Sequence, residues 1–457
     1  MQEKNKNRFF DFISKKINRS NERSTNAIKN IIASFGIKGV SIVVQLLLVP
    51  MTIHYVNPTQ YGIWLTLSSI IGWFSFFDIG FGNGLRNRFA EAKATGNYAK
   101  AKAYVSTTYI CIGTVFVIVW ILFFCINFFL DWSIILNAPA QMAKELSVVA
   151  LIVISFFCLQ MVFQLINTVL IADQKSAKSA FFHMIGQVLA LIIIFILTKI
   201  THGSLIYLAS ALGFCPILVL LIVSWWFYKK DYRLFKPKIS LFHKGIVKDI
   251  FSLGSKFFVT QVAMLIIYST ANIIISQQIN PYEVTVYNIA YKYFNVIIMI
   301  FSIIQSTMWS SFTDAWIKRD ILWINNSLKK LQQIWLLLVV LTFIFLVVAN
   351  KIYSLWVGKN IIVPYLLSIN FSLFTIIGNW SSIWGNFLNG IGKIKLQTYI
   401  CFVKCLCFIP LALFFCKLYG TVGLVVSFII ISVPDMILYP LQTKKILDGK
   451  AKGIWNE

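Results

Sequence analysis

This chain of 457 residues carries little negative charge: 16 Asp and Glu stand against 41 Lys and Arg. An active site built on paired carboxylates, or a pore that draws in cations, has few groups to work with. Histidine is rarer. His54, His183, His202 and His243 are scattered and never form H-E-x-x-H, so no metal chemistry is expected. The eight cysteines (Cys111, Cys125, Cys158, Cys215, Cys401, Cys405, Cys407 and Cys416) all fall in apolar stretches, where a thiol behaves as a small hydrophobe. Cys405 and Cys407 are too close for C-x₂-C and have no His or acid beside them. Neither a disulfide framework nor a zinc site is therefore expected, and no cofactor is called for.

What is abundant is apolar: 58% of residues are hydrophobic, 16% aromatic and only 12% charged, with a mean hydropathy of +0.77. That composition excludes a soluble domain of this length and implies an all-α polytopic membrane protein. A window of about 19 residues finds twelve spans, near 31–53, 61–84, 103–130, 146–171, 179–198, 204–228, 249–278, 283–311, 333–349, 361–389, 396–416 and 421–442. Pro50, Pro216, Pro364, Pro410 and Pro434 interrupt several of them; the freed backbone groups then need neighbouring helices or water.

A net charge of +25 in a soluble protein would suggest nucleic acid, so its placement decides its meaning. Thirty-two of the 41 basic residues lie in the segments 1–30, 85–102, 172–178, 229–248, 312–332, 390–395 and 443–457, all on one side of the twelve spans. The opposite loops hold Lys144, Lys199, Lys351, Lys359 and Lys417 alone. This asymmetry puts both termini in the cytosol and makes the charge a matter of topology, with no nucleic acid as partner. Residues 1–30 carry eight Lys and Arg and no apolar core of signal-peptide length, so they read as an uncleaved cytosolic basic tail.

Two spans open on the same phrase: Phe35-Gly36-Ile37-Lys38 and Leu253-Gly254-Ser255-Lys256. An Asn-Pro pair follows each, Asn57-Pro58 and Asn280-Pro281, and seven residues beyond each Asn stands an aromatic, Trp64 and Tyr287. Signals recurring in the same order point to a duplication of six spans. The expected organisation is a six-helix bundle over 31–228, a cytosolic basic linker over 229–248, a second six-helix bundle over 249–443 and a cytosolic tail over 444–457. Six is even, so the repeat is parallel and a substrate site is expected where the halves face each other.

Four lysines lie inside spans: Lys38, Lys256, Lys292 and Lys404. A central Lys costs about 2.5–3.5 kcal/mol on insertion scales. Lys38 and Lys256 sit roughly 10 Å from the cytosolic edge, where each either faces a watery cavity or snorkels back to the surface. Lys292 lies deeper, and Lys404 is flanked by Cys and Phe in a span that faces either cavity or structure. Asp78 either neutralises a lumen charge or couples transport to an ion, and Glu283 and Asp435 read as interfacial. Gly80, Gly82 and Gly84 either loosen their helix or pack it closely.

The segment Tyr61-Gly62-Ile63-Trp64, followed by Asp78-Ile79-Gly80, Gly82, Gly84, Arg86 and Arg88, resembles the second span and first inner loop of the Wzx-type O-antigen and capsule flippases. Those belong to the MATE-like superfamily, with the MATE multidrug exporters and the lipid II flippase. The resemblance implies two six-helix bundles and transport, without enzymatic chemistry, of an undecaprenyl-pyrophosphate-linked oligosaccharide across a bacterial inner membrane. The implied partners are that lipid-linked glycan, the bilayer and polysaccharide assembly proteins. It also implies that Lys38, Lys256, Lys292, Lys404 and Arg86 hold the substrate, with Asp78 for charge balance or coupling. A MATE-type cation exporter is the main alternative, and it would need anionic residues in its cavity. A membrane polymerase or glycosyltransferase is disfavoured by the short outer connections, the longest near 131–145.

Overall fold

An apolar segment in lipid must satisfy its own backbone N–H and C=O groups, which leaves helix as the form open to these spans. The computed structural model describes residues 22–456 apart from 79 and 174, and among the described residues there is no strand. The first half contains α1 (Glu22–Val56), α2 (Pro58–Gly72), α3 (Phe81–Ala94), α4 (Tyr98–Asn127), the short α5 (Trp132–Leu136), α6 (Ala143–Phe163), α7 (Leu165–Ala172), α8 (Ser176–Ile200) and α9 (Leu205–Lys229). The second contains α10 (Lys244–Gln278), α11 (Pro281–Ile317), α12 (Ile321–Trp356), α13 (Tyr365–Ile391) and α14 (Lys395–Leu447). Nine stretches among the described residues are long and apolar enough to cross a bilayer. One of these, α14, turns back at Gly420 (φ 61°) and so makes two passes. With α10 and the α2–α3 pair the described residues make twelve passes through the bundle, and the face on which α1 starts and α14 finishes is the near face.

The Asn-Pro pairs begin helices by one shared device. Asn57 Oδ1 accepts the Gln60 N–H at 2.9 Å and Pro58 occupies the first turn of α2; Asn280 Oδ1 accepts the Glu283 N–H at 2.9 Å ahead of α11. Each side chain satisfies an amide that the helix leaves free, and proline loses nothing at that position.

The second expected span is not one helix. After Gly72 the chain tightens into a 3₁₀ turn, Trp73–Asp78, and α3 starts only at Phe81. Gly80 takes φ 77°, a left-handed conformation that a side chain disfavours, and the Asp78 carboxylate accepts the Gly82 N–H at 3.3 Å. Hydropathy registers the run as continuous because every residue in the turn but Ser75 and Asp78 is aromatic.

Helix association in lipid depends on close approach, and glycines provide it where the halves meet. A Cβ on Gly62 would lie 1.7 Å from the Pro281 carbonyl oxygen, at the far end of α2 and α11. One on Gly84 would lie 2.4 Å from the Ile250 carbonyl oxygen, joining α3 to α10 near the opposite end. Polar contacts reinforce the far end: Thr285 Oγ1 donates to Pro58 O at 2.6 Å, and Ser276 Oγ to Leu136 O at 2.7 Å.

The basic segment between the halves is folded onto α4. Its two 3₁₀ turns, Arg233–Phe235 and Ile239–Leu241, leave amides that α4 hydroxyls satisfy: Ser106 Oγ accepts the Lys238 N–H at 3.1 Å and Thr107 Oγ1 the His243 N–H at 3.3 Å. The Phe235 ring is buried edge-on against Phe89, 5.0 Å away.

Candidate functional site

Mid-depth between the halves runs a chain of polar side chains. Asn288 on α11 donates to Asn272 on α10 at 2.8 Å, and Asn272 donates to Ser69 on α2 at 2.9 Å. Beside it Lys292 Nζ donates to the Tyr61 hydroxyl at 2.9 Å and lies 5.6 Å from that ring's centre. Tyr61 is buried and Lys292 half-buried. No carboxylate pairs with this ammonium among the described residues. Its charge is therefore uncancelled, held by a phenol at the seam of the molecule, the geometry that suits a mobile point charge for an anion.

Lys292 also lines a small cavity with Asn295 and Met299 of α11 and Ile42, Gln45 and Leu46 of α1. That contact orients α1. Val40, Val43 and Leu47, at 47, 55 and 47% exposure, mark its outward stripe. Lys38 precedes Ile42 and Gln45 by four and seven places and so shares their stripe of α1, one turn nearer the near face. Lys38 is itself exposed. Lys256 lies on α10, in a stretch whose side chains fall outside the described residues.

Lys404 has a different setting. It points into a cavity of about 520 Å³ wholly within the second half, between α10, α11, α13 and both limbs of α14. Its ammonium is paired with Asp435, and the two side chains are 14 and 15% exposed. Asp435 is thus not at the membrane surface, as its place near a span end suggested, but is the counter-charge to a lysine 31 positions earlier. The α14 reversal at Gly420 brings them together, which no linear reading of the two segments shows. Around the pair stand Gln305, Ser382, Asn386, Asn389 and Gln397, with the rings of Trp309, Tyr268 and Tyr439.

The remaining candidates lie toward the near face. Arg86 is exposed on α3. Asp78 makes no ion pair among the described residues; its carboxylate accepts the Gly82 N–H in the first turn of α3. The stronger cross-half contact there centres on Arg88, which the sequence motif contains without indicating a partner: it pairs with Glu91 of its own helix and with Asp249 of α10, and the Tyr104 hydroxyl donates to the same Asp249. A second network ties α3, α7 and the folded linker. Asp173 is paired with Lys93, accepts from Lys175 at 2.8 Å and from the Tyr232 hydroxyl at 2.7 Å. Burial works against its charge, yet the Lys175, Lys93 and Tyr232 donors together hold its carboxyl below the usual carboxylate range.

At the opposite face a larger cleft of about 990 Å³ separates the end of α1 from the α12–α13 connection, with His54, Gln60, Lys199 and Asn360 on its walls. The arrangement can hold an anion at the seam and accommodate polar uncharged groups in the second half.

The profile of a family described as polysaccharide biosynthesis protein matches residues 27–309. A protein of Yersinia pseudotuberculosis, whose name assigns it provisionally to O-antigen export, is 21% identical over 79% of this chain and 83% of its own length. A similarly provisional O-antigen transporter of Salmonella typhi is 22% identical over 85% of this chain and 88% of its own. Among solved structures, the inward-facing conformation of a multidrug resistance MATE family transporter superposes with a TM-score of 0.72 at 13% identity, covering 92% of this chain and all of that one. Its outward-facing counterpart gives 0.67 at 14% identity, covering 93 and 97%. The fold is the MATE transporter fold.

Proposed function

Because this chain belongs to the polysaccharide biosynthesis protein family, we propose that it carries an undecaprenyl-pyrophosphate-linked oligosaccharide from the inner to the outer leaflet of a bacterial cytoplasmic membrane, without making or breaking a bond, for O-antigen or capsule assembly. The observation that carries this reading is Lys292, an uncancelled ammonium at the seam between the halves, hydrogen-bonded to a neutral phenol. A diphosphate cannot cross about 30 Å of hydrocarbon unaided; a cation at that depth, with Lys38 on the α1 stripe beside it and Lys256 at the matching place in the repeat, lowers the barrier. The lipid tail stays in the bilayer. The provisional export names of both curated relatives agree with it, and both termini lie in the cytosol by the distribution of basic residues.

Transport proceeds by alternating access. The far end of the seam is closed by the Gly62–Pro281 and Thr285–Pro58 contacts, the second-half cavity runs toward the near-face ends of α13 and α14 at Asn389 and Gln397, and the better superposition is on an inward-facing transporter. Cation export, the MATE alternative, is disfavoured because the cavity's carboxylate is already paired to Lys404. The test is complementation of a strain lacking the gene. Lys292→Ala, Lys38→Ala or Lys256→Ala should lower surface glycan by about tenfold or more while protein levels in the membrane stay normal; undiminished glycan in all three would overturn the reading.

A further inference from the structure

The cavity around Lys404 differs in chemistry from the seam at Lys292. It lies inside one half, and its only described ion pair, Lys404 with Asp435, cancels within it. A diphosphate entering would find its lysine taken and a carboxylate beside it, which opposes binding. What the cavity offers instead is neutral: amides of Asn389 and Gln397 and the Ser382 hydroxyl, with the Trp309 ring, 49% exposed, on one wall. Gln305 already donates to Ser382 at 2.6 Å, Ser382 to the Asn379 carbonyl at 2.7 Å and Gln397 to the Gly385 carbonyl at 3.3 Å, so Ser382 and Gln397 are held in place, Ser382 with only acceptor capacity left. Amides and hydroxyls match a sugar's hydroxyls as both donors and acceptors, and an aromatic face receives the C–H face of a pyranose ring. About 520 Å³ falls within the range of small-molecule sites.

We propose that this second-half cavity is a carbohydrate subsite: it takes uncharged sugar residues of the cargo while the seam lysines take the diphosphate. The proposal rests on the export reading above and deepens it. The Lys404–Asp435 pair adds no net charge to the site. The cargo is thus read in two places by two chemistries.

The test uses the full chain in lipid nanodiscs, free of glycoside detergents whose headgroups would compete. Two probes are titrated by calorimetry: the lipid-free oligosaccharide released by mild acid from the host's own lipid-linked repeat unit, and undecaprenyl pyrophosphate without sugar. Trp309→Leu and Asn389→Leu should each weaken the oligosaccharide about tenfold or more and leave undecaprenyl pyrophosphate unchanged; Lys292→Ala should do the reverse. Trp309→Phe should recover oligosaccharide binding, which a folding defect would not allow. Oligosaccharide binding unaffected by both Leu variants, or lost only in Lys292→Ala, overturns the subsite. If the wild type binds undecaprenyl pyrophosphate but no oligosaccharide, the subsite falls and the export reading stands. If it binds neither, both fall.

Discussion

At Lys292 one ammonium lies between two halves with a phenol as its partner, so its removal and that of the phenol should separate. Each charge-assisted hydrogen bond contributes about 1.5–3 kcal/mol, so Lys292→Ala should lower glycan transport by about tenfold or more. Tyr61→Phe keeps the charge and should lower it less, both read by surface glycan in the complemented strain. Lys404 predicts the opposite pattern, because its charge is paired. Asp435→Ala would leave a largely buried ammonium alone, a loss that runs to about 3–5 kcal/mol in closed interiors and belongs at the lower end beside a cavity. The double variant Lys404→Met, Asp435→Leu should regain most of that stability in thermal unfolding. At Gly62 even one methyl is too much: with Pro281 O at 1.7 Å from its position, Gly62→Ala must push α2 from α11, costing about 1–3 kcal/mol and lowering the melting temperature.

Among the elements, the α3–α7–linker junction answers to pH. Asp173 has its carboxyl held below the ordinary value. Its contribution is therefore fully present above the unfolded value of about 3.9, and is lost as pH falls through the lower folded value. Thermal stability should fall on acidification below about pH 4, and Asp173→Asn should be less stable at neutral pH with a flatter acid limb. Long apolar runs and the Asn-Pro caps made most helices legible in the sequence, since hydropathy reports depth along the membrane normal. It does not report which way a side chain faces. For that reason the Asp435 carboxylate read as interfacial, although the reversal at Gly420 brings it to Lys404. Likewise Arg88 and Asp249, 161 positions apart, passed unnoticed as partners. The break after Gly72 was hidden by its own aromatic sequence, and Tyr61, quoted only as part of a motif, gave no sign that its hydroxyl meets a lysine in the other half.

For the whole molecule, the near-face pairing of Arg88 with Asp249 joins the halves, with side chains 28 and 35% exposed. A pair so open to water contributes about 0–1 kcal/mol, enough to bias two arrangements by a few-fold without locking either. Arg88→Glu and Asp249→Arg should each reduce surface glycan a few-fold, and the exchanged pair together should restore it. In the proposed alternating access, the segment that joins the halves sets the form of the movement. Since Ser106 and Thr107 hold the connecting segment as far as His243, α10 leaves the first half from a fixed pivot. A body hung from one corner can swing but cannot drift away. Any aperture between the two is accordingly widest on the side remote from residues 243–245, and a bulky cargo would have to enter there.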